Sequence, residues 1–170
     1  MKTHYLVSGG ENDDIFRSMM SFLDSLELSD EAQIYVNSSG GSCWMYDAFL
    51  NRLNSMTDLG YKIKMIILFA WSAAFDLTWK YKGDRVTEQR SDAIVHIAAT
   101  DVAIWRWTIR ESSNTEIERM KYNDAQEQYI YPFMTEEERI LFLEWRDIYI
   151  NPDRMKEIFI APPSRIVPIL

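Results

Sequence analysis

The sequence contains the residue types that nucleophilic catalysis requires, in Ser72, His96 and Asp147. A serine hydroxyl is a poor nucleophile until a base removes its proton, and the histidines of this chain are His4 and His96. His4 stands at the start of the chain, so His96 is the candidate base. It would deprotonate Ser72 and later protonate the leaving amine, while Asp147 fixes the imidazole tautomer. These residues predict a serine hydrolase.

A glycine pair supplies the second component of such a site. Gly40 and Gly41 follow the β-branched run 34–36 and precede a helix-like stretch over 44–56. A strand that ends at two glycines brings bare backbone N–H groups close to the contents of a cleft. The amides of Gly41 and Ala73 are therefore candidates for an oxyanion hole. Losing one such donor typically raises the barrier by about 2 to 4 kcal/mol.

Alternating strand-like and helix-like segments position these residues. The apolar run 63–69 predicts a strand that ends just before Ser72, and a serine at a strand-to-helix junction exposes its hydroxyl at the carboxyl end of a sheet. Apolar residues at three- and four-residue steps predict a first helix over 15–26. A short strand is expected to end near His96. This order predicts an α/β fold with a mainly parallel sheet and helices outside it.

The second half of the chain is expected to be richer in helix. Residues 102–109 are compatible with a strand or with the start of a long arm, and 116–128 are charged and predicted to be helical. Thr135 followed by Glu138 is a capping-box pattern for another helix. The segment from 102 to 131 is interpreted as a helix-rich arm in which apolar side chains serve packing or subunit contacts.

Composition restricts the class of protein. A chain of 170 residues with 47% hydrophobic residues is expected to form a single domain over 1–170 with a full core. The net charge of −8 argues against a nucleic-acid partner. The apolar run 63–74 is interrupted by Lys64 and too short to cross a bilayer, so no membrane partner is expected. A single cysteine, Cys43, and a strand-like start without a visible signal peptide predict a cytoplasmic protein. No cofactor and no metal are expected.

Five segments carry a resemblance to a known family. They are Leu6-Val7-Ser8-Gly9-Gly10-Glu11 with Asp13-Asp14-Ile15, then Gln33 to Ser42, Ala70-Trp71-Ser72-Ala73-Ala74-Phe75, Lys82-Gly83-Asp84-Arg85 with Ile94-Val95-His96, and Arg146 to Pro152. In this order and at nearly this spacing they resemble the proteolytic subunit of the Clp protease, within the Clp/crotonase superfamily. The similarity runs from about Tyr5 to about Ile160.

The resemblance implies a ClpP/crotonase-like fold, with a C-terminal helical arm, and a serine endopeptidase that acts inside an oligomeric chamber. It assigns Ser72, His96 and Asp147 to the catalytic triad, and peptides or unfolded proteins to the substrate class. It also implies a homo-oligomer built from rings. Because 1–4 leaves little room for the family's axial gate before the first strand, dependence on an AAA+ unfoldase is expected to be weak or absent.

Departures from the family pattern leave one residue of register open. Counting back from His96 without a gap places Trp71 at the nucleophile position, whereas matching forward from Ala70 places Ser72 there. Ser72 is favoured because it offers a hydroxyl. The glycine-rich segment that follows the family's histidine is replaced by 97–101, which predicts altered binding of the substrate strand.

Each candidate also has a simpler interpretation. His96 would be structural if it merely ends a strand, Gly40 and Gly41 would form only a tight turn, and Asp147 would be a solvated acid or an ion-pair partner of Arg146. A catalytically inactive ClpP-like structural or regulatory subunit is therefore an alternative to the peptidase. A crotonase-like acyl-CoA enzyme, with the glycine amides holding a thioester oxygen, is a weaker one.

Overall fold

The computed structural model describes residues 1–8, 13–95, 133–143 and 146–160. In these ranges strands and helices alternate along most of the chain. In chain order they are β1 (Lys2–Ser8), α1 (Asp13–Asp24), β2 (Glu31–Ser38), α2 (Cys43–Asp58), β3 (Lys62–Trp71), α3 (Ala73–Lys80), β4 (Asp84–Val95), α4 (Glu136–Leu143), β5 (Ile148–Ile150) and α5 (Pro152–Ile160).

The five strands form one sheet in the order β1-β2-β3-β4-β5, and the sheet is mostly parallel. Strand β2 pairs in parallel with both β1 and β3. The mainly parallel α/β fold predicted from the sequence is thereby confirmed at this level. The β2–β3 register shifts once, because Val36 lies opposite Ile67 but Asn37 lies opposite Phe69, which leaves Leu68 as a bulge residue without a partner.

Helices α1, α2 and α3 form a layer against this sheet. Crossover connections between parallel strands are right-handed, so consecutive helices in this strand order lie on the same face of the sheet. In agreement, α2 contacts both α1 and α3, while α1 packs on β1 and α3 packs on β3. The core between the layers includes fully buried side chains from strands and helices, among them Leu6, Ile34, Phe49, Ile67 and Phe75. The site-bearing turns are thus attached to a packed core.

The described residues divide into two compact units. The first contains the described residues up to 93 together with 149–160, and the second contains those between 94 and 148. The described residues do not test the prediction of a single domain over 1–170, which stays a prediction. Of the predicted helical arm, 102–131 lies outside the described residues.

Helix α4 of the second unit begins with the predicted capping box. The Thr135 amide donates to Glu138 Oε2 at 2.7 Å, and the Glu138 amide donates to Thr135 Oγ1 at 3.2 Å. Each side chain therefore satisfies an amide that the first turn leaves without a helical partner. The predicted start of this helix is confirmed.

Candidate functional site

Ser72 occupies the turn between β3 and α3. Its backbone angles are φ 54° and ψ −129°, and it is the one residue other than glycine with positive φ among those the structure describes. A residue with a Cβ atom is strained there. The Ser72 carbonyl accepts the amides of Phe75 at 2.9 Å and Asp76 at 3.3 Å, whereas its side chain does not cap α3. A strained serine between a strand and a helix has the geometry of a nucleophile elbow.

The glycine loop lies directly against this turn. Gly40 and Gly41 have φ values of 88° and 148°, which favour glycine. A Cβ atom added to Gly40 would lie 2.6 Å from the Trp71 carbonyl oxygen, 2.8 Å from Ser72 Cβ and 3.1 Å from the Ala73 nitrogen. Contact this close requires glycine. The structure therefore brings together the loop after β2 and the turn after β3, the two halves of the site that the sequence predicts.

Two helices start at this edge of the sheet, α2 at Cys43 and α3 at Ala73. The residues before them, Ser42 and Ser72, make no side-chain capping hydrogen bond to these helices. The first amides of a helix have no partner within it, and the aligned peptide dipoles make this end electropositive. The edge of the sheet that carries the Ser72 turn therefore also carries backbone donors and a field that favour an oxyanion.

The remaining triad residues are not brought into one described site. His96 lies outside the described residues. Asp147 directly precedes β5, is exposed and belongs to the second unit, whereas Ser72 belongs to the first. The arrangement of Ser72 with His96 and Asp147 stays a prediction, and so do the oxyanion roles of Gly41 and Ala73.

Trp71 is the last residue of β3 and does not occupy the turn. Its half-buried indole packs against Phe69, with 4.4 Å between the ring centroids. In the part of the chain that the structure describes, the buried indole N–H has no hydrogen-bond partner. Of the two register alternatives, it is Ser72 that the structure places at the junction, with the indole beside it.

A buried ion pair lies one turn further along α3, and the sequence reasoning missed it. Asp76 and Lys80 approach to 3.5 Å with side chains that are 3% and 11% exposed. The charges of Asp76 and Lys80 both influence the pKa of Asp47 in α2. Burial raises the pKa of Asp47 and the charge of Asp76 raises it further, while Lys80 opposes the shift. The i,i+4 spacing of Asp76 and Lys80 is the signal that could have indicated this pair.

The carboxyl end of α3 is anchored by Arg85 from β4. One guanidinium nitrogen donates to the carbonyls of Thr78 at 2.9 Å and Tyr81 at 3.1 Å, and also to that of Trp79. The guanidinium carbon also lies 5.6 Å from the Trp79 ring centroid and 5.3 Å from that of Phe159 in α5. Arg85 thus satisfies carbonyls that the last turn leaves open and interacts favourably with the helix dipole. The helix that begins at the Ser72 turn is therefore fixed at its far end.

A cleft of about 390 Å³ lies at the opposite edge of the sheet, where β2, β3 and β4 begin. Its lining includes Glu31, Lys62, Lys64 and Asp84, all on the surface. Ligands of open α/β sheets bind at the carboxyl ends of the strands, so this cleft is separate from the Ser72 site. Among the described residues, no group of three or more His, Cys, Asp or Glu side chains could hold a metal ion.

No protein-family model matches the sequence, and no curated protein does either. The resemblance to the Clp protease subunit accordingly rests on the five segments alone. Within the described ranges no helix combines the length and the apolar character needed to cross a membrane.

Proposed function

We propose that this protein is a ClpP-like serine endopeptidase with a Clp/crotonase-like fold. The observation that carries the proposal is the positive φ of Ser72 at a strand-to-helix turn that is in contact with Gly40. Strained backbone persists only where the surrounding structure enforces it, and it is concentrated at functional sites. A reactive hydroxyl would explain why a serine occupies this strained position.

The proposed reaction is a two-step acyl transfer. Ser72 Oγ attacks the carbonyl carbon of the scissile peptide bond while His96 accepts the hydroxyl proton. The amides of Gly41 and Ala73 donate to the oxyanion of the tetrahedral intermediate. The intermediate then expels the amine, which takes the proton from His96, and water hydrolyses the acyl-enzyme by the same route. Asp147 orients His96 and stabilises its charged form.

The same proposal covers the substrates and assembly. Peptides or unfolded proteins would be cleaved inside a ring-forming homo-oligomer in the cytoplasm, with little dependence on an AAA+ unfoldase. Active sites enclosed in a chamber would exclude folded proteins.

Reaction with a fluorophosphonate probe tests the nucleophile. We expect covalent labelling of the wild type, loss of labelling in Ser72→Ala and normal labelling in Ser55→Ala. Ser55 is a suitable control because it is an exposed serine on α2 whose hydroxyl donates to the Asn51 carbonyl at 2.8 Å. A wild type that resists the probe in every assembly state would contradict the peptidase and favour the inactive ClpP-like subunit, with the Trp71 indole beside a serine that does not react.

A further inference from the structure

The glycine loop is attached to the core by a buried hydroxyl at the end of β2. Ser38 is 1% exposed and lies on the same face as the buried residues Ile34 and Val36. Its Oγ accepts the amide N–H of Gly40 at 3.1 Å. A buried hydroxyl requires hydrogen-bond partners, and here one of them is the backbone of the loop itself.

The second contact of this hydroxyl comes from the first turn of α2. Tyr46 is also buried, and its hydroxyl oxygen lies 2.5 Å from Ser38 Oγ, where either atom can donate the proton. The pair therefore joins the end of β2 to the start of α2 across residues 39–42. Gly40 is held from one side by this pair and abuts the Ser72 turn on the other.

A loop with two adjacent glycines has many accessible conformations, so its single observed conformation must be selected by contacts. The position of Gly40 also determines where the next amide, that of Gly41, is presented. The described contacts of the Gly40 backbone that can make this selection are the hydrogen bond from its amide to Ser38 and the packing against Ser72.

We propose that Ser38 and Tyr46 are positioning residues that hold the backbone of Gly40 against the Ser72 turn and thereby set where the Gly41 amide is presented. Neither touches the substrate, because both are buried in the core beneath the loop. The inference rests on the proposed function for its catalytic consequence, namely that the hydroxyl pair sets the rate of the acylation step through the loop. Its structural content, selection of the loop conformation by this pair, is independent of whether Ser72 reacts.

Hydrogen exchange of the Gly40 amide in Tyr46→Phe and Ser38→Ala tests the structural part. Both variants weaken the hold on the loop, so we expect exchange at Gly40 to accelerate about five- to tenfold, the factor that one net hydrogen bond corresponds to. Fluorophosphonate labelling of Ser72 should slow by a similar factor. The two effects should not add in the double variant, because both substitutions break one connected pair.

Tyr81→Phe is the matched control. The Tyr81 hydroxyl is also buried and donates to the Ile63 carbonyl at 2.8 Å, near the starts of β3 and β4 rather than near the loop. This variant should lose stability without altering Gly40 exchange or the labelling rate. Unchanged Gly40 exchange in both Tyr46→Phe and Ser38→Ala would overturn the inference, as would faster exchange with an unaltered labelling rate in a reactive protein. If the wild type does not react with the probe, the proposed function fails, and Gly40 exchange alone decides whether the pair holds the loop.

Discussion

The strained backbone at Ser72 lowers the stability of the folded protein, whereas the proposed function depends on the same residue. A φ of 54° disfavours any residue with a Cβ atom, yet the chain places a serine there. Stabilising substitutions at such positions commonly reduce function, because strained active-site geometry is part of the function. The proposed chemistry is thus assigned to a residue whose backbone conformation is unfavourable for folding.

Replacing Ser72 with glycine is expected to stabilise the protein by about 1 kcal/mol, because glycine adopts these backbone angles without a steric penalty. Ser72→Ala is the control, since it removes the hydroxyl but keeps the Cβ atom and the strain. Both variants should be unreactive towards a fluorophosphonate, whereas urea denaturation should give a higher midpoint for the glycine variant alone. Equal midpoints for glycine and alanine would show that the turn carries no strain.

Gly40→Ala is expected to destabilise the protein by about 2 to 4 kcal/mol, because its Cβ atom would come within 2.6 Å of the Trp71 carbonyl oxygen. Gly60→Ala is matched in backbone strain, since its φ of 92° is similar, but among the described residues its Cβ atom would meet only Leu28, at 3.9 Å. It should cost about 1 kcal/mol, from strain alone. Thermal unfolding measures both, and equal costs would mean that the close approach of the loop to the Ser72 turn is not rigid.

At the scale of the elements, α3 is short but held at both ends. An eight-residue helix is marginal on its own, so its stability comes from tertiary contacts. The Ser72 turn fixes its start, and the guanidinium of Arg85 binds its last carbonyls. Any motion of the Ser72 turn would therefore require displacement of the whole helix.

Arg85→Lys is expected to reduce the free energy of unfolding by about 1 to 3 kcal/mol, because an ammonium group cannot reproduce the planar contacts with two rings and buried carbonyls. Arg52→Lys is the control, since Arg52 pairs with Asp24 at 3.0 Å on the surface. An exposed pair of this kind contributes at most about 1 kcal/mol. Chemical denaturation of the two variants should separate them, and similar losses would argue against a capping role for Arg85.

The sequence predicted helices and strands correctly where hydrophobic periodicity was strong. It failed where pairing between strands determines the extent of an element. Segments 15–26, 34–36, 44–56 and 63–69 all fall within or largely within observed helices and strands. The strand before His96 was expected to be short, but β4 has twelve residues. Its first half is mostly polar and lacks fully buried residues, so its extended form comes from pairing in the sheet rather than from its own residue types.

The site was predictable to a similar extent. A serine and two glycines after neighbouring strands indicate a shared edge of the sheet, and the structure places Gly40 against Ser72. The hydrogen-bonded pair of Ser38 and Tyr46 joins a strand to a helix, and the electrostatic influence of the α3 ion pair on Asp47 acts between two helices. Such contacts depend on packing geometry that no local pattern specifies.

At the scale of the whole molecule, global stability is expected to fall below about pH 6.5 partly through His4. This imidazole on β1 stacks on Phe22 with 4.8 Å between centroids, and burial lowers its pKa. As pH falls through the ordinary histidine pKa, the unfolded chain takes up the proton first, so stability is lost down to the lowered folded-state pKa.

The stability difference between His4→Phe and the wild type should therefore grow in favour of the variant between about pH 7 and about pH 5. Phenylalanine keeps an aromatic ring against Phe22 but cannot titrate. Carboxylates and His96 are present in both proteins, so their contributions cancel in the difference. Denaturation curves across this range give the measurement, and a difference that is constant with pH would exclude His4 as the origin.

Assembly is also a property of the whole molecule, and we expect sedimentation at micromolar concentration to show an oligomer. Among the described residues, large apolar side chains such as Tyr5 and Trp44 are 63% and 72% exposed in the single chain. Contact between subunits would remove such surface from water. A monomer as the sole species at these concentrations would contradict the ring-forming assembly.

At the Leu68 bulge, the alternation of β3 side chains between the two faces of the sheet shifts by one residue. Before it, odd-numbered residues such as Met65 and Ile67 face the helices, and after it the even-numbered Ala70 does so, opposite Ser38. If Leu68 were instead paired in a regular ladder, alternation would continue without the shift and the faces of Ala70 and Trp71 would be exchanged. The Trp71 indole would then face the tightly packed helix side, and the turn at Ser72 would no longer follow the strand in its observed orientation. By taking one residue out of the ladder, the bulge thus keeps Ala70 on the helix side and the Ser72 turn at the glycine loop.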